Sequence, residues 1–144
     1  MEKHDKDVVK VLHNDGVKKV IIGDLENIST TNIDDLVEKM GNGSWAVRLV
    51  YNEKFGGVVI QQQPGEGNRL HYHPDADECW VIISGSWEWY IEGEGTKVVN
   101  KNDIVVVKKT IKHKITCIGN MPGIRFAITD RKSTRLNSSH TSIS

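Results

Sequence analysis

The sequence predicts an all-β fold, a barrel or sandwich of many short strands with a short N-terminal helix. Two observations carry this. Between Ser44 and Thr129 the chain breaks into runs of four to seven residues rich in Val, Ile, Thr and aromatics. Gly and Asn punctuate those runs at Asn52, Gly56, Gly65, Gly67, Gly85, Gly93, Gly95, Asn102, Gly119 and Asn120.

Taken in order, residues 1 to 16 are polar with an apolar patch at Val8, Val9, Val11 and Leu12, which reads as a loose arm or an edge strand. Val17 to Ile22, closed by Gly23 and Asp24, reads as a strand. Ile33, Leu36, Val37 and Met40 recur at i, i+3, i+4 and i+7, with Thr31 and Asn32 as candidate caps and Gly41 as a stop. That period predicts a short amphipathic helix packing on the outside of a sheet. Strands are then expected over Trp45 to Tyr51, Gly57 to Gln63, Asn68 to His73, Glu78 to Ser84, Trp87 to Glu92, Thr96 to Val99, Asp103 to Val107, His113 to Ile118 and Ile124 to Thr129.

The chemistry concentrates in Gly65 to Gly85, GEGNRLHYHPDADECWVIISG. Residues i and i+2 of a strand point to one face, so Arg69, His71 and His73 are expected to project together. Pro74 to Asp77 forms a polar turn, after which Glu78 can return a carboxylate to the same point, and His113 supplies a third imidazole further on. Three nitrogens and one oxygen suit a divalent transition metal, Fe, Mn, Ni, Co, Cu or Zn. They do not suit calcium, which takes oxygen ligands.

The spacing Gly65, five residues, His71, one, His73, four, Glu78, six, Gly85 resembles the first motif of the cupin superfamily at every fixed position. That superfamily's second motif reads glycine, five residues, proline, one, glycine, two, histidine, three, asparagine. Here those positions hold Asn102, Lys108, Thr110, His113 and Cys117, so the histidine alone is kept. The resemblance, covering about Ser44 to Thr129, implies a cupin double-stranded β-helix, a jelly-roll barrel. It also implies the ligand role for His71, His73, Glu78 and His113. The expected organisation is an N-terminal arm, strand and short helix over 1–43, the barrel over 44–130, and a tail over 131–144. That tail resembles translated sequencing-adapter sequence and is expected to be non-native and disordered or extended; without Arg131, Lys132 and Arg135 the balance is 19 acids against 16 bases, net −3.

Composition sets outer limits. At 144 residues and 38% hydrophobic content the chain fits one core, and a net charge of zero argues against nucleic acid. No apolar run is long enough to span a membrane, and Met1 to Lys10 is too charged for a signal peptide. Two cysteines make no disulfide framework; Cys79 is expected to point outward and Cys117 inward, which fits a cytoplasmic setting. His4 and His13 read as structural or exposed histidines.

Around the ligands, Arg69 is the first candidate to meet a carboxylate or phosphate, with pairing to an acidic neighbour as the bland alternative. Arg48 and Arg125 are further candidates. Trp80 and Ile82 share the inward face of Glu78 and give the site an apolar wall. Lys108, Lys109, Lys112 and Lys114 form either a solvated loop or a basic rim that attracts anions. Trp87 and Trp89 read as sheet packing or a dimer surface, and Gln61 and Gln63 share one strand face with Gln62 on the other, so some of this polar run can line the cavity. The expectation is a metal-dependent enzyme acting on a small anionic organic molecule, with an iron dioxygenase and a redox-neutral isomerase or lyase both open. The rival class is a binding or sensing module. Similar small cupins imply a homodimer.

Overall fold

The structure, a computed structural model, describes residues 2–131 and 136–137, with side chains described from 8 to 131. The first segment departs from expectation. Instead of a loose arm or edge strand it forms α1 (Glu2–Asn14). Val8 and Leu12 fall at i and i+4, one turn apart, and both pack on the barrel core, which outweighs the strand preference of the valines. Gly16, at φ 96°, ends the helix and turns the chain so that Val17 is buried beside Leu12.

Next come β1 (Lys19–Ile21) and α2 (Ile33–Met40). Helix α2 starts where its period predicts, with the side-chain oxygen of Asn32 accepting from the Asp35 amide at 3.0 Å. Its stripe, centred on buried Leu36, packs with Trp45, Val47, Val59 and Ile124 on one outer sheet face.

Nine strands then follow as expected to within two residues at either end: β2 (Trp45–Tyr51), β3 (Phe55–Gln62), β4 (Gly67–Tyr72), β5 (Glu78–Ser84), β6 (Ser86–Ile91), β7 (Gly95–Asn100), β8 (Ile104–Val107), β9 (His113–Ile118) and β10 (Gly123–Asp130). A two-residue β11 (Leu136–Asn137), within the segment expected to be disordered or extended, pairs antiparallel with β4 at Tyr72 and His71. The remainder of the expected tail, 132–135 and 138–144, lies outside the described residues.

The strands form two sheets, β1-β2-β3-β10-β5-β8 and β11-β4-β9-β6-β7. This is the jelly-roll sandwich that the resemblance implied. Strand β10 enters between β3 and β5, pairing Phe126 with both Val59 and Val81. Between the sheets lie Trp80, Ile82, Trp87, Trp89, Ile91, Ile115 and Cys117. Trp87 and Trp89 are fully buried there, so the dimer-surface alternative for them is excluded and sheet packing holds. Gly67 lets β4 approach β9: a Cβ at that position would stand 1.9 Å from the Ile115 carbonyl oxygen.

The glutamines divide as the strand period requires. Gln62 is buried inside the barrel, whereas Gln61 donates to the Gly41 and Gly43 carbonyls at 2.9 and 2.8 Å. Both cysteines are free, Cys117 buried and Cys79 partly exposed. None of the described helices is long and apolar enough to cross a membrane.

Candidate metal centre

Three strands and one turn carry the ligands. His71 ends near the close of β4, His73 follows that strand by one residue, Glu78 opens β5 and His113 opens β9. β4 and β9 pair with His71 directly opposite His113, and their ring centroids stand 4.1 Å apart. Pro74 to Asp77 reverses the chain so that Glu78 reaches back. Its Oε1 lies 2.9 Å from His73 Nε2 and 3.5 Å from His113 Nε2. One ligand atom from each of the four residues falls within 4.8 Å of the others. Metal–ligand bonds of roughly 2.0–2.2 Å put any two donors on one ion within about 4.4 Å of each other, so small side-chain adjustments close this set.

The surroundings fix which atoms face inward. His71 Nδ1 is 2.5 Å from the Arg69 carbonyl, and His113 Nδ1 is 3.2 Å from the Ile111 carbonyl. Each ring therefore donates Nδ1–H to a backbone oxygen two residues earlier, which leaves Nε2 as the lone-pair donor. Thr129 Oγ1 donates to Glu78 Oε2 at 3.0 Å and so turns Oε1 toward the imidazoles. Oε1 of Glu78 and Nε2 of His113 are buried and make no hydrogen bond of acceptable geometry. A buried acceptor left this way is costly, and a cation at the convergence point removes the cost. The residues present thus fit a divalent metal.

Electrostatics agree. Burial alone would raise the Glu78 pKa, but polar contact with His113 and His73 and the charge attraction of His73 and His71 outweigh it. The carboxylate is held well below its usual range and is ionised, the form that ligates.

The loop before His113 keeps the shape the spacing calls for despite its lost glycines. Asn102 and Thr110 stand at the two glycine positions of the second motif and both adopt left-handed backbone, φ 80° and 72°. Asparagine tolerates that region, while a β-branched threonine is strained in it. The strain is held by two contacts with the first motif: the Thr110 amide donates to the His73 carbonyl at 2.7 Å, and the Lys109 amide to Asp77 Oδ1 at 2.8 Å. The two motifs are stitched together beside the ligands.

The candidates for substrate contact are less concentrated. Arg69 does not share the buried face of His71 and His73. A register shift between Asn68 and His71 breaks the alternation, and its side chain is 48% exposed and 3.9 Å from Asp15. The pairing with an acidic neighbour is thus the contact Arg69 makes here. Arg48 pairs with Glu26 at 2.7 Å and lies 3.7 Å from the Tyr51 ring centroid. Arg125 is buried in the barrel interior, with Nη2 donating to Gln62 Oε1 and Asn68 Oδ1. Trp80 is the candidate placed at the site: its fully buried ring stands 5.4 Å from His113 and 5.0 Å from Trp89. Lys108, Lys109 and Lys114 are exposed around the loop, as either reading of the basic run requires. Thr129 went unread in the sequence. The signal for it is the cross-strand pairing of Thr129 with Glu78, which exists only once β10 is placed beside β5.

Known proteins agree with this picture. A family model described as the cupin domain matches residues 58–128, which takes in all four candidate ligands. No curated protein sequence matches the chain. Among solved structures, a protein with a double-stranded β-helix domain from Klebsiella pneumoniae matches at 19% identity and TM-score 0.65, covering 77% of this chain and 93% of that one. The Mn(II)-containing oxalate decarboxylase of Bacillus subtilis matches at 21% identity and TM-score 0.54, covering 59% and 24%. A sugar phosphate isomerase of the same superfamily from Silicibacter pomeroyi matches at 20% identity and TM-score 0.51, covering 57% and 54%.

Proposed function

The chain belongs to the cupin superfamily, and from that premise we propose that it is a metal-dependent enzyme acting on a small anionic organic molecule. His71, His73, Glu78 and His113 would hold one divalent transition metal, which would orient and polarise the substrate as a Lewis acid. One observation carries the reading. Three histidines and an ionised glutamate converge on one buried point, with Glu78 Oε1 and His113 Nε2 lacking hydrogen-bond geometry and the Nδ1 atoms of His71 and His113 engaged by carbonyls. A barrel that needed these groups only for packing would gain from replacing them with apolar residues.

The protein's own contribution is positional. Thr129 and the Arg69 and Ile111 carbonyls hold the donors in register. Trp80 and its neighbours make the inner wall dry, which strengthens every polar contact a bound anion makes. The lysines at 108, 109 and 114 give the substrate a favourable approach field. Redox-neutral isomerase or lyase chemistry is the version we favour, in keeping with the decarboxylase and isomerase named among the structural neighbours, and the setting we propose is cytoplasmic, with the protein a homodimer.

Elemental analysis of untagged protein tests the reading, comparing wild type with His71→Ala and His113→Ala. About one equivalent of metal in the wild type and none in either variant is expected. Oxygen uptake by an iron-loaded sample with candidate carboxylate substrates would move the assignment to a dioxygenase. Failure to retain any divalent metal after reconstitution would overturn the enzyme reading and leave a ligand-binding barrel.

A further inference from the structure

All four tryptophans of this chain are buried, yet their indole N–H groups fall into two classes. Trp45 Nε1 donates to the Gly41 carbonyl at 2.9 Å, and Trp87 Nε1 to the Ser84 carbonyl at 3.2 Å. Trp80 Nε1 and Trp89 Nε1 are just as buried and have no acceptor among the described residues. An indole N–H can only donate. Leaving one buried and unsatisfied costs about 1–3 kcal/mol, which is why native interiors rarely keep one.

The two unpaired donors lie together, beside the candidate metal centre. The Trp80 and Trp89 rings stand 5.0 Å apart, and Trp80 is 5.4 Å from the His113 ring. Trp80 follows Glu78 by two residues on β5, and Trp89 pairs with Ile115, two residues beyond His113 on β9. Both rings thus sit in the core layer next to the ligands. An edge-to-face pair can aim one N–H at the neighbouring ring, but that contact is a weak substitute for an oxygen acceptor.

We propose that Trp80 and Trp89 orient the substrate, their indole N–H groups donating to the oxygens of a small monocarboxylate bound at the metal centre. A carboxylate offers acceptors to both donors at once, and in a dry interior a hydrogen bond to a charged oxygen is stronger than in water. The arginines are engaged elsewhere: Arg69 lies near Asp15, Arg48 on Glu26, and Arg125 on Gln62 and Asn68. Two neutral donors suit a singly charged carboxylate over a phosphate dianion, which calls for arginine or lysine. A molecule without an acceptor at this point would leave both donors unpaired, and a buried site rejects such a molecule strongly. The inference deepens the function proposed above and rests on it for the presence of a bound anion.

NMR of indole-15N-labelled protein loaded with diamagnetic Zn(II) tests it. Formate, added to about 100 mM, is expected to move the Trp80 and Trp89 N–H resonances downfield and to leave those of Trp45 and Trp87 in place. Inorganic phosphate is expected to move them far less. Trp80→Phe and Trp89→Phe keep a ring and lose the donor; each assigns one signal and is expected to weaken formate binding about tenfold, read from the remaining unpaired indole. The wild-type titration decides even where a variant folds poorly. Trp80 and Trp89 resonances that do not respond to formate overturn the proposal, as does a larger response to phosphate or formate binding that neither variant weakens. Metal content in the same samples separates the two claims. Bound metal with unmoved resonances sinks this inference alone, whereas formate shifts in protein that retains no metal remove the metal-dependent enzyme and leave the role of the two donors standing.

Discussion

The two ends of the barrel interior both bury polar side chains, and they treat them in opposite ways. At the end formed by Gln62, Asn68 and Arg125, the groups engage one another: Arg125 Nη2 donates to both amide oxygens at 2.8 and 2.9 Å, and Gln62 reaches the Asp15 and Gly67 carbonyls at 3.4 Å. At the other end, about 13 Å further along β10, Thr129 donates to Glu78 Oε2 and four ligand-type residues bring their ligand atoms together at one point. A polar cluster that closes on itself serves the fold. One whose ligand atoms converge on a single point suits a cation, and the distinction rests on where those atoms are aimed more than on residue type.

The contrast can be broken most forcefully at the closed end. Arg125→Met should cost about 3 kcal/mol, because the buried Gln62 oxygen and the partly buried Asn68 oxygen lose a charged donor, and it should leave metal stoichiometry unchanged. Urea unfolding of metal-free protein with elemental analysis of the same sample would show both; lost metal with retained stability would reverse the assignment of the two ends. At the open end, Thr129→Val should weaken metal affinity about 10–100-fold by freeing the Glu78 carboxylate to turn, while stability of the metal-free chain shifts little. Competition with a chromogenic chelator reads that change.

A pH series sharpens the same point in the metal-free protein. Glu78 is ionised in the fold below the pH at which it protonates in the unfolded chain, whose ordinary value is 4.5. Its contribution is therefore full above about pH 4.5 and is lost as pH falls from there through the lower folded value. Glu78→Gln should flatten that part of the stability curve, and an unchanged curve would show that the imidazoles do not hold the carboxylate. The smallest effect is expected at the stitch between the motifs. Thr110→Gly should raise stability by about 1 kcal/mol, since glycine relieves the left-handed strain at φ 72°.

Much of this was legible in the residues. Alternation marked the strands because one face of each is buried, and the i, i+2 histidines with a four-residue turn before Glu78 put the donors together whichever way the sheets paired. Thr129 and the Arg69–Asp15 contact were not legible, because both depend on which elements lie side by side. Strict alternation misplaced Arg69, since a register shift leaves no mark in this sequence. α1 escaped because Val8, Val9 and Val11 carry strand propensity, and only packing against the barrel shows which period governs. The departures from the second motif changed residue type more than conformation: Asn102 and Thr110 took up the glycine backbone.

The position of Trp80 has an optical consequence. An indole 5.4 Å from the His113 ring, in a fully dry setting, emits within short range of whatever the ligands hold. Paramagnetic ions such as Mn(II), Fe(II), Co(II) or Cu(II) should quench that emission and Zn(II) should largely spare it. The protein thus carries an internal fluorescent gauge for both the occupancy and the electronic class of its own centre.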